Sequence, residues 1–171
     1  MNLHAHNTLI IALIFVALSF SSQKLSAQEN DSAELIAIID AIEKGWEQGD
    51  GQPFREHYLD FEGARYIEGG GQNEGLSDLI GHHVEPEGDA LDNFELNLTN
   101  IETHVEGDFA WAIVDVEVKA LVKSDQRQID NRGYETFLFR RVNNEWKVVH
   151  THSSSRPVAK EKEHEHSESH D

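Results

Sequence analysis

The fold is most readily predicted from one segment near the C-terminus, Asn143-Asn144-Glu145-Trp146-Lys147-Val148-Val149-His150-Thr151-His152-Ser153-Ser154-Ser155-Arg156-Pro157. A polar two-residue turn precedes a run rich in aromatic and β-branched residues, and a proline ends the segment, which is typical of a β-strand. Alternate residues of a strand share a face. One face is therefore predicted to carry Trp146, Val148, His150 and His152, which places two imidazoles beside an apolar stripe.

Composition excludes several kinds of function. The chain has 171 residues and no cysteine, so disulfides, thiolate metal sites and thiol nucleophiles are excluded. The 32 acidic residues outnumber the 14 lysines and arginines, and the net charge is -18 with histidine neutral. Such a surface repels nucleic acid and anionic lipid, so neither is expected as a partner.

The first 27 residues have the pattern of a secretory signal peptide. Residues 8–20 are an apolar run too short to span a bilayer, and small polar residues follow as far as Ala27, after which cleavage is expected. The protein is thus predicted to be exported to the periplasm or the medium, with no membrane association after cleavage. An uncleaved N-terminal anchor is the alternative, because no lysine or arginine precedes the apolar run and Leu25 is large for its position.

Helices are predicted in the first half of the remaining chain. Asp31, with Glu34 three residues later, predicts an N-terminal capping box for a long amphipathic helix. Pro53 predicts the start of a short second helix. A third helix is expected over 75–85 and should end before Pro86. Its apolar face continues to His83, so His83 is expected to face inward and His82 outward.

Strands are predicted from Phe94 onward, because the apolar residues then recur at every second position. The apolar parity switches near Thr99-Asn100, which predicts a β-bulge. Helices followed by long antiparallel strands with short turns indicate an α+β domain. Its predicted bounds are 31–157, and the His- and Glu-rich residues 158–171 are expected to be a disordered tail.

Three motifs resemble the SnoaL-like family of the nuclear transport factor 2-like (ketosteroid isomerase-like) superfamily. They are Arg132-Gly133-x-x-Thr136, the run Trp146-Lys147-Val148-Val149-His150-x-His152-Ser153, and His82-His83-x-x-Pro86-Glu87. The resemblance implies a cystatin-like roll, in which a curved antiparallel sheet wraps around N-terminal helices and leaves a conical pocket. It also implies a homodimer through the outer sheet face, around Trp111, Ile113 and Leu121. It does not define a reaction, because this fold hosts isomerases, lyases, hydrolases and binding modules.

Several polar residues are candidates for the pocket. An imidazole in a partly apolar cavity can act as an acid or base near neutral pH, so His83 and His150 are the catalytic candidates. The ligand-binding candidates are Tyr66, Glu87, Arg132 and His152, with Arg132 or Tyr66 expected to steady developing negative charge. The alternative is that His83 and His150 are core histidines with ordinary hydrogen bonds.

Metal binding is a further possibility. His150 and His152 are two residues apart on a strand, a spacing that zinc and copper sites use, and His83 with Glu87 could complete three or four ligands. The tail residues His164, His166 and His170 could bind metal loosely, or could belong to a tail that only solvates the protein. No other cofactor is expected. The leading prediction is a domain that binds a small organic ligand; the alternatives are an isomerase, lyase or hydrolase with a pocket histidine as acid–base, or a periplasmic metal-binding protein.

Overall fold

The computed structural model describes residues 28–159, so the predicted signal peptide and the tail histidines lie outside the described residues. Four α-helices, one π-helical turn and six strands follow one another. They are α1 (28–48), α2 (Gln52–His57), β1 (Arg65–Glu68), β2 (Gly71–Glu74), α3 (Leu76–Leu79), the π-turn (Ile80–Val84), α4 (Glu85–Ala90), β3 (Leu91–Glu106), β4 (Phe109–Val122), β5 (Gln128–Val142) and β6 (Glu145–Pro157). No helix among these residues is long and apolar enough to cross a membrane.

The strands form a single sheet in the order β2-β1-β6-β5-β4-β3. All neighbouring pairs are antiparallel except β1 and β6, which run parallel. The sheet is curved and unclosed, and its inner face packs against the helices, which confirms the predicted α+β class. The hairpin β1–β2 pairs Arg65 with Glu74 at one end and Glu68 with Gly71 at its turn.

The first helix packs on the sheet through its predicted apolar face. Leu35, Ile39 and Ile42 are fully buried there. The predicted capping box is wrong, because the helix already includes residues 28–30 and Asp31 lies within it. Asp31 instead accepts hydrogen bonds from Arg141 Nη2 at 2.6 Å and Trp146 Nε1 at 3.3 Å, and so ties the helix to β5 and β6.

The third predicted helix continues past Pro86, contrary to expectation. At the π-turn the backbone changes to wider hydrogen bonding, with the N–H of Glu85 donating to the carbonyl of Ile80. Pro86 then occupies the first turn of α4, where a residue without an N–H is tolerated. The π-turn carries both histidines: His83 faces inward, as predicted, and His82 lies outside with 81% of its side chain exposed.

Three register shifts reverse the side-chain parity of long strands. The predicted bulge in β3 is confirmed, since the register with β4 shifts between Thr99 and Glu102, and a further shift lies earlier in β3, between Asp92 and Glu95. The third lies in β6, where Leu138 pairs with His150 but Phe139 pairs with Val148, so Val149 is the extra residue. The predicted shared face of β6 is therefore wrong beyond Val148. A bulge places two residues opposite one and inverts the alternation that follows it.

Candidate functional site

A cavity of about 180 Å³ opens between the inner face of the sheet and the helices. We call it the inner pocket, and it lies where the conical pocket is predicted. Its lining combines aromatic residues (Trp46, Tyr58, Tyr66, Phe94), neutral polar residues (Asn73, Asn131, Thr151, Ser153, Ser155), carboxylates (Glu68, Glu87, Glu135) and aliphatic side chains. This volume is below the roughly 300–1,000 Å³ of sites for drug-sized ligands, so the pocket suits a small molecule.

His83 lies at the rim of the inner pocket and contacts several of its lining residues. Its Nε2 is 3.0 Å from Glu87 Oε1 and 3.4 Å from Glu68 Oε2. Its Nδ1 is 3.2 Å from the side-chain nitrogen of Asn73, and its ring packs edge-on against Trp46. The hydrogen bond to Glu87 raises the pKa of His83, and attraction to the two carboxylates adds to this against the opposing effect of burial.

Glu135 lies deeper, on the inner face of β5. Burial raises the pKa of its carboxyl to about 8, and repulsion from Glu68 adds to this. Glu135 pairs with Ser153 across β5 and β6, and Ser153 pairs with Glu68 across β6 and β1. The two carboxylates therefore flank a small serine on one row of the sheet, with neighbouring strands about 4.8 Å apart.

Two tyrosines close the base of the inner pocket. Tyr58 and Tyr66 pack edge-to-face with ring centroids 5.0 Å apart. Burial raises the pKa of Tyr66 to about 12, and burial together with the nearby Glu135 raises the pKa of Tyr58 well above its usual value, so both phenols keep their protons at neutral pH. The Tyr66 hydroxyl is buried and has no hydrogen-bond partner among residues 28–159. It is an available donor and acceptor beside the pocket.

The structure brings only some of the predicted site residues together. Tyr66 and Glu87 line the inner pocket, and His83 lies at its rim. His150 and His152 lie on the outer face instead, opposite Leu138 and Thr136, because the bulge at Val149 inverts the alternation of β6. His150 Nδ1 donates a hydrogen bond of 2.6 Å to the carbonyl of Arg65.

Arg132 also lies on the outer face. Its Nε is 3.0 Å from Glu117 Oε1 across β4 and β5, and 61% of its side chain is exposed. It lines a wide outer groove of about 610 Å³ with Asp115, Tyr134 and Arg156. The expectation that Arg132 reaches the inner pocket is therefore wrong, because side chains alternate along β5 and Arg132 shares the parity of the exposed Tyr134.

The three histidines predicted to form an internal metal site do not lie together. His83 lies at the inner pocket, whereas His150 and His152 are on the opposite face of the sheet. Within the described part of the chain, no group of three or more histidine, aspartate or glutamate side chains is arranged to hold a metal ion. The tail histidines lie outside the described residues, and their metal binding remains a prediction.

Sequence reasoning missed the acidic residues Glu68 and Glu135 and the amide of Asn73. A signal for Glu135 was present, because it shares the alternation of Phe137 and Phe139, both fully buried. A glutamate on the apolar side of a strand is a candidate for a pocket. Asn73 gave no such signal, because the segment around it has the composition of a turn.

Comparisons with known proteins agree with this architecture. The structure is similar to an NTF2-like superfamily protein from Salmonella enterica serovar Typhimurium, with 20% identity, a TM-score of 0.69, and coverage of 81% of this chain and 98% of that one. It is also similar to a proposed dehydratase of the NTF2-like family from Streptomyces avermitilis, with 18% identity, a TM-score of 0.64, and coverage of 77% and 99%. A protein with a cystatin-like fold from Caulobacter vibrioides matches at 17% identity and a TM-score of 0.62, with coverage of 72% and 88%. None of the curated proteins matches this sequence significantly.

The fold and its inner pocket define the class as a nuclear transport factor 2-like domain, a fold that small-molecule-binding and enzymatic domains use. The model of the SnoaL-like domain family matches residues 35–159. The chain belongs to the SnoaL-like domain family.

Proposed function

We propose that this protein binds a small organic ligand in the inner pocket. The observation that carries the proposal is the cavity of about 180 Å³ itself, with aromatic walls and a few convergent polar groups. Apolar walls supply binding energy through burial, and the polar groups fix the orientation of the ligand.

The test uses a matched pair of variants on β6. Ser153 faces the inner pocket, whereas its neighbour Ser154 lines the outer groove. The full chain is screened by thermal shift against a panel of small organic compounds, and hits are measured by calorimetry. A specific ligand at one hundred times its Kd should stabilise the fold by about 2.7 kcal/mol. Ser153→Phe should abolish this binding by filling the cavity, and Ser154→Phe should retain it. Binding that persists unchanged in Ser153→Phe contradicts the proposal.

A second candidate function is acid–base catalysis in the same pocket. It is supported by two groups beside the same pocket, the imidazole of His83 at the rim and the proton-bearing carboxyl of Glu135 farther in, since catalysis near neutral pH needs groups of this kind. In this role His83 exchanges a proton with the ligand while the Tyr66 or Glu135 proton steadies negative charge on it. If the wild type converts a compound from the screen to product, His83→Asn should still bind that compound but should no longer turn it over. Undiminished turnover in that variant contradicts the catalytic role.

The protein is further proposed to act outside the cytoplasm and as a homodimer. Export is supported by the signal-peptide pattern of residues 1–27. Dimerisation is supported by exposed apolar side chains on the outer face, where Ile113 is 41% and Tyr134 is 61% exposed.

A further inference from the structure

The titratable side chains that line the inner pocket are acidic. Three carboxyl groups line it, from Glu68, Glu87 and Glu135, and no lysine or arginine does so among residues 28–159. His83 lies at the rim, with its Nε2 3.0 Å from Glu87 Oε1. The described lining therefore offers no fixed positive charge to a negative ligand, whereas its carboxyl groups can pair with a positive one.

His83 pairs only with the outer part of this acidic set, Glu68 and Glu87. Its Nε2 lies within 3.4 Å of both Glu87 and Glu68. Glu135 takes part in none of the ion pairs of the described residues, and the influences on its carboxyl are burial and repulsion from Glu68. Its environment favours the protonated form, and a positive group placed beside it would reverse that preference.

The shape of the pocket provides a place for such a group. Ser153 separates Glu68 from Glu135 on the sheet, and its small side chain leaves open volume between the two carboxylates. The rings of Trp46, Tyr58, Tyr66 and Phe94 line the remainder. Aromatic faces attract cations, and the Tyr66 hydroxyl, which has no hydrogen-bond partner among residues 28–159, adds an acceptor.

We propose that the ligand of the inner pocket is a small organic amine, whose ammonium group lies between Glu68 and Glu135 and whose apolar part packs against the aromatic walls. This inference rests on the proposed function, since it names the chemical class that the same pocket binds. An ammonium is favoured over a metal ion because the described residues offer no set of three ligand side chains arranged for a metal, whereas they do offer aromatic walls.

The test compares three probes of nearly equal shape: benzylamine, benzyl alcohol and benzoate. Calorimetry with the full chain at pH 7 should give a Kd for benzylamine at least about tenfold below that for benzyl alcohol, and no measurable binding of benzoate. Benzylamine should also release a proton from Glu135, which appears as a dependence of the binding heat on the ionisation enthalpy of the buffer.

Two glutamine variants test whether the ammonium group binds beside Glu135. Glu135→Gln should remove most of the preference for benzylamine over benzyl alcohol and also the proton release. Glu117→Gln is the matched control, because Glu117 lies on the outer face of the same sheet and lines the outer groove, and it should change neither. Thermal unfolding of both variants checks that each one folds.

The outcomes separate the two proposals. Benzyl alcohol binding that is lost in Ser153→Phe, without a preference for the amine, overturns the amine inference and leaves the binding function in place. Three other results would also overturn the amine inference. They are tighter binding of benzoate than of benzylamine, no binding of any probe, and a preference for benzylamine that is lost in Glu117→Gln but kept in Glu135→Gln. Failure of the compound panel in the inner pocket is the result that overturns the binding function.

Discussion

Glu135 is the residue whose environment most differs from that of an ordinary surface glutamate. It shares the inner face of β5 with Phe137 and Phe139, and it pairs across the strands with the fully buried Val114. Burial deprives the ionised carboxylate of hydration and so disfavours it, which is why the pKa of Glu135 rises to about 8. At neutral pH the side chain therefore carries its proton.

Replacing this group by an amide should change how stability depends on pH. Because the folded-state pKa is raised, the folded protein binds the proton more tightly than the unfolded chain, and this stabilising contribution is lost as pH rises from about 4.5 to about 8. Glu135→Gln has no such loss. Relative to the wild type it should therefore gain about 4 kcal/mol in the free energy of unfolding between pH 5 and pH 8.5, since about three pKa units lie in this interval and each corresponds to about 1.4 kcal/mol.

Urea unfolding at the two pH values measures this difference. Glu102→Gln is the control, because Glu102 is exposed on β3 and its replacement should leave the pH dependence of the wild type unchanged. Equal pH dependence in wild type and Glu135→Gln would show that the carboxyl is not desolvated in the folded state.

The pairing of strand β6 with β5 contains two local irregularities. The bulge at Val149 inverts the alternation, so that Thr151 and Ser153 face inward. Farther along, Gly133 of β5 lies against the backbone of β6, where a Cβ would clash with the carbonyl of Ser154 and come within 2.7 Å of the Cα of Ser155. Glycine at this position permits the close approach of two strands where the sheet bends.

Gly133→Ala should therefore be destabilising, because the added methyl meets backbone atoms that cannot move away as a flexible side chain could. We expect the free energy of unfolding to fall by about 2 kcal/mol or more, measured by urea unfolding. Gly81→Ala is the control: Gly81 lies in the π-turn with open space around its missing Cβ, so alanine should be neutral or stabilising by about 0.5–1 kcal/mol. A loss in Gly133→Ala no larger than that of the control would contradict the proposed close approach.

At the scale of the whole molecule, the curved sheet separates two surfaces of different chemistry. The inner surface, together with the helices, encloses the pocket, and its buried side chains form the core. The outer surface carries charged residues interrupted by exposed apolar ones, among them Ile113 and Tyr134. His104 and Trp111 stack on this surface with ring centroids 4.9 Å apart. The proposed homodimer would cover these apolar side chains.

Ile113→Arg should dissociate that dimer, because it places a cation where the second copy would bury an apolar side chain. Sedimentation velocity of the full chain should show a dimer for the wild type and a monomer for the variant at the same concentration. Phe61→Arg is the matched control, since Phe61 is similarly exposed, at 44%, but lies in the loop after α2 rather than on the sheet. Dissociation by both variants, or by neither, would contradict a dimer through the outer face.

The α+β class could be predicted from the sequence, because fold class depends on the periodicity of apolar residues and on the order of helices and strands. The apolar spacing of α1, the alternation from Phe94 onward and the parity switch in β3 each reflect local geometry that repeats along the chain. The motif around Trp146 then indicated the family. The inward position of His83 followed in the same way from helical spacing.

The set of polar groups that meet in the inner pocket could not be predicted from the sequence, because it depends on how the strands pair. The single extra residue at Val149 moves His150 and His152 to the outer face, and a one-residue change in register reverses every side chain beyond it. The row that places Glu68 beside Ser153 and Glu135 joins strands from distant parts of the sequence. Strand pairing of this kind depends on the packing of the whole sheet, so local spacing can predict the strands but not the pocket between them.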